Sequence, residues 1–195
     1  MNASPDKKEL ILDAARRLLV ERGYQDIVLD QVAKHAGVAK GTLFLYYPSK
    51  DALLAAAFAD LVDRLGAQID EAAASGRSGE ELLAGTVRVI LGHFERYSDF
   101  LSQFGAGRFP GCKERSRGKL MDKLTANMKR VIAVLERCAA AGLFPARDLD
   151  VAAVSLFGLC RASIFLRVLG GSPTPIDTRT RQVLDLFLHG VKGRP

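Results

Sequence analysis

A chain of 195 residues, 48% of them hydrophobic and with a formal charge of +6, has room for a small domain beside a larger one, and its basic balance favours a polyanionic partner. Its three cysteines, Cys112, Cys138 and Cys160, are too widely spaced for a zinc site or a disulfide framework and suit a reducing compartment. The start MNASPDKKEL lacks the apolar core of a signal peptide, and no apolar run is read as reaching the roughly 18 to 20 residues that span a bilayer, so a soluble, cytoplasmic, membrane-free chain is expected.

Ser4, Pro5 and Asp6 read as a helix start, with Ser4 as N-cap, Pro5 at the first helical position and Asp6 favourable to the helix dipole. Leu10, Ile11, Ala14, Ala15 and Leu18 then recur at helical spacing, and Gly23 closes the helix before Tyr24. The stretch from Gln31 to Lys50, QVAKHAGVAKGTLFLYYPSK, reads as a helix, a tight turn and a second helix. Val32, Ala33 and Ala36 give a short apolar face, Gly37 suits the left-handed end of a helix, and Val38 with Leu43 packs the second helix across the first. Lys40, Gly41 and Thr42 open the second helix, where a recognition helix meets base edges, and Tyr46, Tyr47 and Lys50 follow. Duplex DNA is therefore the expected partner.

Pro48 and Ser49 mark a new helix start near Lys50, with Leu54, Phe58, Leu61, Leu65 and Ile69 as its buried stripe. A small polar stretch follows, and Ser78 with Glu81 has capping-box spacing. Leu83, Val87, Ile90, Phe94, Tyr97, Leu101 and Phe104 carry the next helix until Gly105, Gly107, Pro110 and Gly111. Helical spacing resumes near Lys113 and runs to Gly142, with Gly118 able to split off its first turns. Two more helices are expected over 148–169 and 177–191, separated by Gly170, Gly171, Pro173 and Pro175. No segment alternates like a strand. The expected architecture is all-α with about nine helices, a three-helix helix-turn-helix head over 1–49 and a larger helical bundle over 50–195.

Ile11-Leu12-Asp13-Ala14-Ala15, Glu21-Arg22-Gly23-Tyr24, Ala36-Gly37-Val38, Lys40-Gly41-Thr42-Leu43 and Pro48-Ser49-Lys50-Asp51-Ala52-Leu53 together resemble, in order, the signature of the TetR/AcrR-type transcriptional repressors of bacteria. The resemblance implies that Lys40, Gly41 and Thr42 enter the major groove, with Phe44 near a thymine methyl or the groove edge, and that Tyr46, Tyr47 and Lys50 meet phosphates. In chemical terms, Lys40 can donate to guanine acceptors, Gly41 permits close backbone approach, and Thr42 serves a base or a phosphate. Leu43 is core, and Tyr47 is as well suited to packing inside the head as to touching phosphate. The chain departs from the pattern where Thr is common before the turn and Ile27 stands instead, so either Asp26 caps the helix or its start shifts. Ala39 replaces a common Ser, and Phe44 and Leu45 replace Tyr and His.

For the remainder, the resemblance implies an effector-binding and dimerising domain, with a homodimer reading a palindromic operator and a small-molecule effector lowering its affinity. Dimerisation has its own logic, because a symmetric dimer reads two half-sites where one small head binds weakly. The expected dimer residues are Val154, Ser155, Gly158, Ala162, Phe165, Val183, Leu184, Phe187 and Val191, although the same pattern could close the chain's own core. The expected pocket residues are Phe58, Leu61, Leu65, Phe94, Tyr97, Leu101, Phe104, Met121, Leu124, Met128, Phe157 and Phe165, although a stripe of this kind is more often plain core than ligand lining. Arg96, Arg108, Arg115 and Arg117 make the central region basic, which favours an apolar or anionic effector, although such charges usually form a solvated face. His93 is either a ligand anchor or an ordinary hydrogen-bonded histidine, and Cys112 beside Lys113 is a minor candidate for a reactive thiol. An architectural DNA-binding protein without an effector is the alternative. An enzyme is not expected, since His93, Glu95 and Cys112 fit no nucleophile-base motif, and neither a metal nor another cofactor is expected.

Overall fold

The computed structural model describes residues 6–22, 25–97, 114–168 and 174–190, except the side chains of 114–117 and 167–168. Among the described residues there are eight helices and no strand: α1 (Lys7–Arg22), α2 (Leu29–His35), α3 (Lys40–Tyr46), α4 (Lys50–Ala74), α5 (Gly79–Arg96), α6 (Glu114–Ala140), α7 (Leu149–Val168) and α8 (Ile176–His189). The split that Gly118 would allow does not occur, because an isolated glycine in an exposed helical turn costs only about 1 kcal/mol and α6 runs through it. The helices form two compact units, Met1–Leu61 with Tyr97–Met121 and Val62–Arg96 with Asp122–Pro195.

In the first unit, the cap of α1 is Asp6 rather than Ser4: its carboxylate accepts the Lys8 N–H at 3.1 Å, and its carbonyl accepts from Glu9 and Leu10. Ser4, Pro5, Gly23 and Tyr24 lie outside the described residues. Ile11, Ala15 and Leu18 on α1 and Val32, Leu43, Leu53, Ala57 and Leu61 are all buried within this unit. Gly37 has φ +64°, and Val38 N–H donates to Ala33 carbonyl at 3.0 Å, a glycine-terminated helix end that turns the chain from α2 into α3. The start of α2 shifts to Leu29, with Val28 at the N-cap and no side-chain cap, because Ile27 is buried. Ser49 caps α4 as expected, its hydroxyl accepting the Ala52 N–H at 3.1 Å. Buried Arg16 ties α1 to α4 through Asp60 at 3.1 Å.

In the second unit, α5 packs against α7 and α8, and Leu83, Val87, Ile90, Val131, Leu135, Leu156 and Cys160 form the centre of its core. Along α4 and α6, Asn127 donates to Val62 carbonyl at 2.7 Å and Arg130 pairs with Asp70 at 2.8 Å, while Gly66 lies against Asn127 with no room for a Cβ. Cys138 and Cys160 are buried free thiols, and burial pushes Cys160 up to about 12. Neither thiol is poised to react. Cys112 lies outside the described residues.

Helix α7 corrects the expectation that no run is long and apolar enough to span a bilayer. Leu149–Leu166 has a mean hydropathy of 1.8, and only 22% of it is buried. Ala153, Leu156, Cys160 and Ile164 make its buried stripe, whereas Val151, Val154, Phe165 and Leu166 face outward. The segment is apolar nearly all round, so hydropathy does not reveal which side the core takes.

His93, near the end of α5, is buried, and burial together with the Arg96 charge lowers its pKa from 6.5 to about 4. The fold therefore favours neutral His93. Its contribution to stability is complete above pH 6.5 and is lost as pH falls towards 4, a span corresponding to about 3 kcal/mol. Thermal unfolding followed between pH 7 and pH 4 is expected to show a falling midpoint, and His93→Gln is expected to flatten that decline. Equal slopes in the two proteins would refute the assignment.

Candidate nucleic-acid interface

The three-helix core determines which side of α3 is free. Leu43 is fully buried and anchors the helix, so residues one or two positions away are driven outward. Lys40, Gly41, Phe44, Leu45 and Tyr46 are exposed, and Thr42 is half-buried. A Cβ built on Gly41 meets nothing within 4 Å, so the backbone there is open to close approach. Ala39 at the N-cap of α3 makes no side-chain cap, leaving the amide donors of the first turn to solvent or a ligand. Lys50, half-buried at the start of α4, donates to Gln25 carbonyl at 3.1 Å.

Tyr47 lies on the other side. It is 4% exposed, its hydroxyl has no hydrogen-bond partner, and burial, reinforced by the carboxylates of Asp60 and Asp6, raises its pKa to about 12. The alternative in which Tyr47 packs inside the head therefore describes this structure, and a phosphate contact would require it to turn out. Tyr47→Phe is expected to leave DNA affinity within about twofold and to alter stability by no more than about 1 kcal/mol, because it removes an unpaired buried hydroxyl. A tenfold loss of DNA affinity would show that the hydroxyl does reach phosphate.

Sequence reasoning missed Asp30. Its carboxylate, in the first turn of α2, pairs with Lys40 Nζ at 2.7 Å. Opposite charges ten positions apart across a helix-turn-helix are the only sequence signal, and that spacing has meaning only once α2 and α3 cross. Arg22 likewise donates to the Gln31 side chain at 2.7 Å, bracing α1 against α2.

The expected pocket residues are distributed over both units. Phe58, Leu61, Tyr97 and Met121 belong to the first. In the second, Leu65 is buried, while Phe94, Met128 and Phe157 are partly buried against the core, with the rings of Phe94 and Phe157 6.2 Å apart. Met121, Leu124 and Phe165 are exposed, and Leu101 and Phe104 lie outside the described residues.

The expected dimer residues on α7 form one outward face: Val154, Ser155, Gly158, Ala162 and Phe165 are all exposed, Phe165 at 59%. On α8, by contrast, Val183 and Leu184 are buried in the chain's own core and Phe187 packs edge-on against Phe144. The exposed residues of α8 are Asp177, Arg181, Gln182, Asp185 and Leu186, and Val191 lies outside the described residues. Between α7 and α8 is an open groove of about 510 Å³ lined by Leu159, Ala162, Ser163, Leu166, Thr174, Arg179, Gln182, Val183, Asp185 and Leu186. Arg179 is buried and pairs with Glu95 at 2.6 Å, but its Nε and Nη1 and the Ser163 hydroxyl lack partners. No group of three or more metal-ligating side chains comes together among the described residues.

The family described as bacterial regulatory proteins, tetR family, matches residues 11–57, and the AefR-like transcriptional repressor C-terminal domain matches residues 106–189. The HTH-type transcriptional regulator EthR of Mycobacterium tuberculosis is 30% identical over 198 residues, covering 95% of this chain and 86% of EthR. The fold is shared with the fatty acid degradation regulator FadR of Bacillus halodurans, with a TM-score of 0.76, 22% identity and full coverage of both chains. It is shared also with the transcriptional regulator FadR of Bacillus subtilis in complex with stearoyl-CoA, with a TM-score of 0.72, 21% identity and coverage of 94% and 98%. These relatives are transcriptional regulators rather than enzymes. With an exposed α3, a second helical unit and this likeness over nearly its whole length, the chain belongs to the TetR family of bacterial transcriptional regulators.

Proposed function

We propose that the chain is a cytoplasmic homodimeric repressor that binds a palindromic operator and releases it when a small apolar or anionic molecule occupies the helical body. The observation that carries this reading is the open edge of α3, where Lys40 and Gly41 are exposed and Thr42 half-buried beside a core anchored by Leu43. Lys40 and Thr42 supply base or phosphate contacts, while Phe44, Tyr46 and Lys50 flank them. In this reading residues 1–49 form the DNA-binding domain and residues 50–195 the effector-binding and dimerising one. The experiment is binding of the native protein and of Lys40→Ala with Thr42→Ala to the DNA flanking its own gene, at fixed salt.

A second copy of the chain is the proposed occupant of the outward face of α7 and α8. Val154, Gly158, Ala162, Phe165 and Leu186 supply apolar knobs beside small residues, and the groove between the helices accepts knobs from the second copy. For the effector, Leu65, Phe94, Met128 and Phe157 are the proposed lining, because they share one unit and three of them are only partly buried at its core. An effector lowers operator affinity only if it binds the DNA-incompetent arrangement more tightly, and α4 runs from the head into the body to carry that difference.

A further inference from the structure

We propose that Asp30 is a specificity-determining residue that sequesters Lys40 until a suitable base edge replaces it; this rests on the reading of α3 as the recognition helix. Lys40 Nζ lies 2.7 Å and 3.0 Å from the two carboxylate oxygens of Asp30, so the cation that would reach guanine O6 and N7 is already satisfied. The Lys40 and Asp30 side chains are 58% and 59% exposed, so water and salt compete for the pair and it exchanges readily. The lysine is held in reserve rather than locked.

On any duplex, a carboxylate beside the recognition helix is repelled by phosphates, and Lys40 bound to it contributes little attraction. That penalty is the same for every sequence. A phosphate must compete with the Asp30 carboxylate for Lys40, whereas a site presenting guanine acceptors within reach of Lys40 also lets the displaced carboxylate accept from the paired cytosine amino group in the same groove. Asp30 therefore lowers affinity for all DNA and has its effect offset only at the correct sequence. It discriminates by repulsion and Lys40 by attraction.

Asp30→Asn keeps the shape and removes the charge. The operator is first defined by selection from a random duplex library with the native protein, and affinities for it and for a scrambled duplex are then measured by fluorescence anisotropy at several salt concentrations. Asp30→Asn is expected to bind the scrambled duplex about tenfold more tightly, in the range that one base-edge contact discriminates, while operator affinity changes less than about threefold. The salt dependence of scrambled-duplex binding is expected to steepen by about one ion per head as Lys40 turns to phosphate. Asp30→Glu is expected to restore discrimination. If Asp30→Asn instead loses operator affinity as Lys40→Ala does, with an unchanged melting temperature, Asp30 orients Lys40 in the complex and the proposal is wrong. Unchanged discrimination in Asp30→Asn also overturns it. Failure of the native protein to select any sequence would remove the recognition reading itself.

Discussion

Alanine at both Lys40 and Thr42 is expected to reduce operator affinity by about a hundredfold or more. Each good base contact is worth about 1 to 3 kcal/mol, and a symmetric dimer loses it twice. The fold should survive, because Lys40 is exposed, Thr42 is half-buried and the anchoring side chain is Leu43. Affinity for unrelated duplex should fall much less, since most phosphate contacts remain. Anisotropy titrations at one salt concentration, with circular dichroism as a control, separate these effects. Equal binding of native and doubly substituted proteins to the flanking DNA would mean that α3 does not read that sequence.

Phe165→Glu is expected to convert the protein from dimer to monomer at micromolar concentration. Phe165 is 59% exposed in one copy, and covering such a side chain contributes roughly 1.5 to 3 kcal/mol, counted twice across a two-fold axis. Placing two carboxylates in the same apolar face adds a further desolvation cost. The combined loss corresponds to a weakening of at least about a hundredfold in dimerisation. Operator binding should then collapse as well, because each head alone makes only half the contacts. Sedimentation equilibrium in detergent-free buffer measures the first effect. A native chain that is monomeric there, or a Phe165→Glu protein that stays dimeric, would remove this face from the interface; in the first case the length and apolarity of α7 would need another explanation.

The head was legible because its signals are local. Gly37 ends α2, Ser49 caps α4 and Leu43 faces inward through chemistry acting within a few residues, so order and spacing were enough to identify a helix-turn-helix. The buried stripe Leu54, Phe58, Leu61, Leu65 and Ile69 was equally readable, since polar neighbours mark the opposite side of α4. The cap of α1 was placed at Ser4 when Asp6 takes it, because both are good caps and the backbone chooses between them. Tertiary structure alone decided that Tyr47 turns inward, that Asp30 meets Lys40, and that Val183 and Leu184 belong to the chain's own core. In α7, apolar residues occupy nearly every side, so no periodicity distinguishes core from outward face until α5 and α8 cover one of them. Pairing between distant residues depends on how helices cross, and crossing is set by packing of whole faces rather than by any short run of sequence.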